Sequence, residues 1–282
     1  MADLKLLLVG AISNSEAIYS GGIKKRFGGS VMYAARAARA LGIDTTVITI
    51  GAEDIDGGIN ELEALGITVH KIKRATSNNS SNDYTSEPRK MYLRSFIDKP
   101  ISQHEIKLDI NPYRFLVLLP IFGEVSHKIL PGFSGKPVFL DLQGLVRKND
   151  AKNSDNLYPV AQSDWEDMEN FIGKIEILKA SSEDLAKIKF PEGILTDEDK
   201  CKYFVNRGFP IFVLTRGDRN TLVCGNNLEP TEVPVKKVAN LSSAGAGDIF
   251  NIAFIYKYLE TKDIVSSAQF ANDYVGQELS GS

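Results

Sequence analysis

Within the first 72 residues a strand–helix alternation repeats that few folds can accommodate. Residues 4–9 form an apolar run ended by Gly10, long enough for a buried strand and too short for a helix. Residues 31–41 set Val31, Ala34, Ala35, Ala38 and Leu41 on one helical face and Arg36 and Arg39 on the other. Ser30 is placed to cap that helix and Gly42 to end it. A β-branched strand follows at 45–50, a second helix at 57–65 stopped by Gly66, and a strand at 67–72. Parallel strands need crossovers, and helices in those crossovers cover the sheet, so the pattern predicts an α/β fold.

The alternation is interrupted twice. Residues 11–27 are polar and Gly-punctuated without a clean period, and 74–88 are rich in Ser and Asn and read as loop. Residues 90–97 read as a strand that sets Arg94 among apolar and aromatic neighbours, which assigns it to a small accessory sheet. Core strands resume at 115–119 and 137–140, the latter followed by Asp141. Ligands in open α/β sheets gather outside the carboxyl ends of the strands, so 141–147 is a site candidate by position. Helices are expected at 163–172, 182–188 and 196–206, and strands at 175–178, running into Lys179, and at 211–214, running into Thr215-Arg216-Gly217-Asp218. Outer strands at 221–224 and 233–238 precede a nearly all-apolar helix at 249–259 and an amphipathic one at 264–279. No repeat or linker divides the 282 residues, which predicts one domain.

Composition narrows the function classes. A net charge of −3 offers no basic footprint for nucleic acid or an anionic membrane. Nothing approaches the ~20 apolar residues of a membrane span, and the start of the chain shows no signal peptide. Cys201 and Cys224 lack CxxC spacing, which fits a reducing, cytoplasmic setting. His70, His104 and His127 are too scattered to found a metal site or a triad.

The stretch 242–248, Ser-Ser-Ala-Gly-Ala-Gly-Asp, is the chemical focus. Its bare backbone leads into the apolar helix, so several N–H groups and the positive helix end can converge on one anion. Asp248, in the first turn, would repel such an anion unless it serves as a base beside a phosphoryl group in transit. Taken alone, the stretch reads equally as a Gly-rich turn with an Asp cap.

Read together, these positions resemble the PfkB, or ribokinase-like, family of carbohydrate and nucleoside kinases. Gly28-Gly29 ahead of the Ala-rich helix is similar to the family's N-terminal signature, and Thr215-Arg216-Gly217 to its nucleotide-binding turn. Ser243 to Asp248 match most of its D-T-x-G-A-G-D signature, and the set runs in order over about residues 4–279. The resemblance implies a three-layer α/β/α domain over 1–282, with a mostly parallel sheet and a β-sheet lid from about 14–27 and 84–98. It implies ATP and Mg2+, with Asp248 as base at an ordinary pKa of ~3.9 and Gly245, Ala246 and Gly247 as the backbone anion hole. On the donor side it implies Lys179, Ser181, Asp184, Thr215, Gly217, Gly247 and Asn272, with Asp184 serving Mg2+, directly or through water. On the acceptor side it implies Ser15, Gly28, Gly29, Ser30, Tyr33, Arg94, Gln143 and Arg147 beside Asp248. Asp141-x-Gln143-Gly144-x-x-Arg147 is similar to a subgroup that includes inositol kinases.

The chain also departs from the family pattern. Ser242 replaces the first Asp of the signature, which in relatives belongs to a monovalent-cation site. Ser181-x-x-Asp184 replaces N-x-x-E, Ser15 stands where relatives carry a substrate-binding Asp, and Tyr33 where ribokinases have Asn. Ribose is therefore disfavoured, while another sugar, a polyol or a nucleoside stays open; Tyr33, Tyr92 and Phe96 could line a slot for a base. A nucleotide-binding protein without catalysis is the alternative of another class, and the intact Asp248 argues against it. Exposed lid edges would permit a homodimer. A dehydrogenase is set aside, since no G-x-G-x-x-G follows the first strand.

Overall fold

A computed structural model describes residues 4–86, 89–236 and 244–280. Ser242, Ser243 and the 237–238 end of the expected outer strand lie outside the described residues. In chain order the first elements are β1 (Lys5–Val9), β2 (Ser13–Tyr19), β3 (Gly22–Gly28), α1 (Ser30–Ala40), β4 (Asp44–Gly51), α2 (Asp56–Ala64), β5 (Thr68–Lys73), β6 (Asn79–Asp83) and β7 (Lys90–Ser95). They are followed by β8 (Phe115–Leu118), β9 (Val138–Asp141), β10 (Arg147–Asn149), β11 (Tyr158–Gln162), β12 (Ile177–Ser181) and α3 (Asp197–Asn206). The chain finishes with β13 (Ile211–Arg216), β14 (Arg219–Gly225), β15 (Leu228–Val233), α4 (Ala246–Thr261) and α5 (Ile264–Ser280).

The larger sheet has the order β15-β14-β13-β12-β9-β8-β1-β4-β5. Every pair from β13 to β5 is parallel, and β14 and β15 add an antiparallel edge. From β1 the chain first builds outward through β4 to β5, then returns to β8 on the other side of β1. The carboxyl ends of β1 and β8 therefore diverge, which opens the crevice where such sheets bind ligands.

Helices α1, α2, α4 and α5 cover one face of this sheet. The other is covered by α3 and an aromatic group of Trp165, Phe171, Phe204, Phe209 and Phe212. Helix α4 buries Phe250, Ile252, Phe254 and Ile255; each such side chain contributes ~1.5–3 kcal/mol by leaving water. That burial fixes the position of its N-terminal turn. Among the described residues, no helix is long and apolar enough to cross a membrane.

The smaller sheet has the order β10-β11-β7-β6-β2-β3 and lies over the crevice. It organises one stretch that showed no period and corrects one expectation. Residues 13–28, most of that stretch and where the resemblance implied small-sheet strands, form the β2–β3 hairpin. The presumed loop at 74–88 contains β6, paired with both β2 and β7. Periodicity missed β6 because its buried side chains are polar: Ser80 joins Ser13 and Ser15 in a hydroxyl cluster, and Asn79 donates to Asp54.

Two expected helices are absent among the described residues. Residues 163–172 hold a single 3-10 turn at Met168–Asn170, and 182–187 are turns. In both, a side-chain carboxylate closes a local turn or ties the segment to a distant amide. Asp164 accepts from the amides of Trp165 and Lys189, and Asp184 from the amide and hydroxyl of Ser181. Ser30 is also not a cap: it is the first residue of α1, whose N-cap is Gly29.

Candidate active site

The carboxyl ends of β9 and β12 set Asp141 and Lys179 side by side. Lys179 Nζ lies 3.0 Å from Asp141 Oδ2, and Asn251 of α4 donates to the same oxygen at 2.8 Å. Lys179 is only 4% exposed. Burial alone would lower its pKa, but Asp141, Asp184 and Asp248 together hold the ammonium charged. A buried cation thus sits under the start of α4.

Above it, the loop wraps the helix start closely. Gly245 has φ +85°, and a Cβ there would fall 2.4 Å from the Tyr33 ring, so both conformation and space require glycine. A Cβ on Gly247 would lie 3.2 Å from Lys179 Nζ. The first turn of a helix leaves its N–H groups without intrahelical partners, and here that turn starts over an ammonium. Positive helix end, first-turn amides and buried cation are the components of an anion site.

Asp248 projects from the first turn of α4. Burial, reinforced by the charge of Asp141, pushes its pKa up to about 7, against the opposing pull of Lys179, a hydrogen bond from Ser30 and Arg147. The expected ordinary value is thereby corrected. Ser30 Oγ is itself oriented by Gln143 Nε2, which donates to it at 3.0 Å. Gly29 brings Ser30 into place: its φ of +97° and the closeness of Ala11 O, 2.3 Å from any Cβ, admit no side chain.

Ser15, Gly28, Gly29, Ser30, Tyr33, Gln143, Arg147, Gly245 and Asp248 all line one cleft of about 120 Å³ beneath the small sheet. Arg147 is anchored to Ile121 O at 3.1 Å. Thr215, next to last in β13, lies beside Ser181 of β12, and Gly217, at φ +68°, turns the chain into β14. Ser181 and Asp184 bind each other there, with Asp184 only 2% exposed.

Four expected residues stand elsewhere. Arg94 is not in the cleft lining; it pairs with Glu16 at 3.3 Å and donates to the Asn14 carbonyl. Asn272 ties α5 to the sheet edge, with its amide engaged by Thr221 and the carbonyls of Val233 and Pro234. Of the three aromatics considered for a base slot only Tyr33 lines the cleft. Phe96 packs on Phe122 and Tyr158 instead, and Tyr92 is likewise outside the lining.

Sequence reasoning missed Arg26, Asn82, Tyr84 and Arg89 in the lining, because the small sheet was poorly delimited. It also missed Glu124, which is fully buried and accepts from the amides of Ala11, Ile121 and Phe122 and from Asn78. No motif surrounds Glu124; only the fold shows that it ties β1, β8 and the small sheet at the crevice. A larger cleft of about 890 Å³ opens at the opposite, amino-terminal edge of the sheet, away from all of these groups.

The groups present fit phosphate better than a caged metal. Among the described residues no three His, Cys, Asp or Glu side chains group to hold an ion. That suits Mg2+ only as a partner of phosphate oxygens and water, with Asp184 as the neighbouring acid.

The chain matches the pfkB family carbohydrate kinase model over residues 3–276. An uncharacterized sugar kinase of Archaeoglobus fulgidus is 23% identical over 237 residues, which span 82% of this chain and 90% of the relative. A pyrophosphate-dependent kinase in the ribokinase family, complexed with a pyrophosphate analog and myo-inositol, has TM-score 0.82 at 20% identity, covering 98% of this chain and 95% of that one. Arabidopsis thaliana ribokinase, complexed with ribose and ATP, has TM-score 0.71 at 15% identity, covering 99% and 93%. Both likenesses show the ribokinase-like fold, a three-layer α/β/α arrangement with a small second sheet. The chain belongs to the pfkB family of carbohydrate kinases, phosphotransferases that act on a hydroxyl group.

Proposed function

We propose that the protein transfers the γ-phosphoryl group of ATP, with Mg2+, to a hydroxyl of a small sugar or polyol, as a single domain whose small sheet acts as a lid. The observation that carries this reading is Asp248, with its pKa pushed up to about 7, beside a bare helix start over Lys179. A base poised near neutral pH suits an alcohol, which releases its proton only as the new bond forms.

In this reading the acceptor hydroxyl gives its proton to Asp248 while its oxygen attacks phosphorus. The bond to the donor's bridging oxygen breaks, and the negative charge stays on the departing phosphate. Backbone N–H groups of Gly245, Ala246 and Gly247 would stabilise the charge on the transferred group, with Lys179 beneath them. Ser30 and Gln143 orient Asp248; Ser15, Gly28, Gly29, Tyr33 and Arg147 would face the acceptor. Thr215, Gly217, Ser181 and Asp184 would meet the donor, and Mg2+ would supply charge neutralisation of its phosphates.

The polar lining and the displacement of Tyr92 and Phe96 favour a sugar or polyol over a nucleoside. The exposed β3 edge, with Ile23 59% exposed, supports a homodimer through the lid, and the free, buried Cys201 and Cys224 support a cytoplasmic setting. One of the structurally similar kinases is pyrophosphate-dependent and another is complexed with ATP, so both donors enter the test. Incubating the protein with Mg2+, either donor and a panel of sugars and polyols should give a phosphorylated product. Donor binding without product from any acceptor would instead support the non-catalytic alternative.

A further inference from the structure

The cleft carries more positive charge than a neutral sugar or polyol calls for. Arg26 of β3 and Arg89, just ahead of β7, both line it. The Arg26 guanidinium carbon stands 6.0 Å from the Tyr33 ring centroid, and Arg89 Nη1 lies 3.4 Å from the Tyr84 hydroxyl. Arg26, Tyr33, Tyr84 and Arg89 thus put a donor-rich wall on the cleft. Arg89 is also near enough to Arg147 for their like charges to repel.

The lining itself offers few counter-charges, although Asp184, Asp141 and Glu183 attract Arg147 from outside it. Among the described residues the acids in the lining are Glu16 and Asp248. Glu16 is occupied by Arg94 at 3.3 Å and Lys25 at 3.5 Å, and Asp248 is held at the other end by Ser30 and Lys179. Cationic groups that line one partly enclosed cleft repel one another, and an entering anion relieves that repulsion. Their planar forks match phosphate and carboxylate oxygens, and two tyrosine hydroxyls add neutral donors.

We propose that the acceptor carries an acidic group, a phosphate monoester or a carboxylate, bound by Arg26 and Arg89 with the hydroxyls of Tyr33 and Tyr84. The inference rests on the kinase reading above and narrows its acceptor. With the acidic group at that wall, the hydroxyl to be phosphorylated lies toward Asp248, which lines the same cleft. A competing role for the same arginines, holding the donor's phosphates, would make their loss equally harmful with every acceptor.

The test compares a neutral sugar, its phosphate monoester and its sugar acid, in the wild type and in Arg26→Gln and Arg89→Gln. The wild type should prefer at least one acidic form by about 10-fold or more in kcat/KM, as expected for hydrogen bonds to a charged group. Which form wins separates phosphate from carboxylate. Each variant should lower kcat/KM for that form about 10-fold more than for the neutral sugar, chiefly through KM. Equal or better use of the neutral sugar, or a loss uniform across acceptors, would overturn the proposal and leave the kinase reading intact. If none of the three turns over, titration calorimetry with the same compounds decides. Acidic ligands that bind the wild type and weaken in the variants would support the wall; no acidic binding would overturn it.

Discussion

A methyl group on Gly247 would come within 3.2 Å of Lys179 Nζ, which places the first turn of α4 against the buried ammonium beneath it. The lysine cannot swing away freely, because Asp141 holds it at 3.0 Å. Stability and activity should therefore separate in Gly247→Ala. Alanine favours a helix over glycine by ~1 kcal/mol, so the fold should be no less stable. Turnover should nonetheless drop by about 10-fold or more, since a small displacement of reacting groups is costly. Thermal melting and steady-state kinetics on the same preparation would read both effects.

The raised pKa of Asp248 makes a prediction about stability as well as rate. In the unfolded chain an Asp ionises near ~3.9, whereas Asp248 in the fold ionises near about 7. Between those values the folded state binds the extra proton, so stability falls as pH rises through that window and stays low above it. Asp248→Asn removes the penalty. Water still reaches part of Asp248 and screens part of this penalty, so the variant should melt about 2–4 °C higher at pH 8. The gain should shrink as pH falls from 7 toward 4. A gain independent of pH would show that ionisation of Asp248 is not its source.

Much of this architecture could be read before any coordinates. Short apolar runs such as residues 4–9, the split faces of α1 and the all-apolar α4 are governed by local period and burial, which sequence displays directly. The bare backbone at 245–247 was equally legible, whereas Gly29 entered only through the resemblance and its close approach to Ala11 only through the fold. What stayed hidden depends on partners distant in the chain. Strand β6 is buried through polar side chains whose partners come from β2 and residue 54. Arg94 and Asn272 belong to motif-like positions, yet their bonds run to Glu16 and to Thr221. Gln143 was expected at the acceptor, and its bond to Ser30 across 113 positions also ties it to the hydroxyl that bonds Asp248.

Glu124 offers a test of how the crevice is held open. Its two carboxylate oxygens accept from Ala11, Ile121 and Phe122 amides at 3.1, 2.7 and 2.7 Å, and from Asn78 at 3.1 Å. Glu124→Gln keeps the shape but turns one acceptor toward those donors as a donor. Loss of bonds to a buried charged acceptor should destabilise the fold by ~1.5–3 kcal/mol. Chemical denaturation would measure this, and an unchanged midpoint would contradict the role assigned to Glu124.

The ion pair beneath the loop should behave as a unit. Asp141→Ala leaves Lys179 buried without its nearest counter-charge, which should cost ~3–5 kcal/mol. Adding Lys179→Met should recover part of that loss while leaving phosphoryl transfer impaired. A double-mutant cycle read by denaturant titration would show the coupling, and strictly additive losses would exclude it.

The central claim, that Asp248 takes the proton from the acceptor hydroxyl, is tested most directly by steady-state phosphoryl transfer in Asp248→Asn. With Mg2+, a working donor and the best acceptor from the panel, kcat should fall by about 10²–10⁴-fold while the donor Kd stays within about threefold. An Asp248→Asn protein that turns over within about threefold of the wild type would contradict the account, since removing a general base should cost far more.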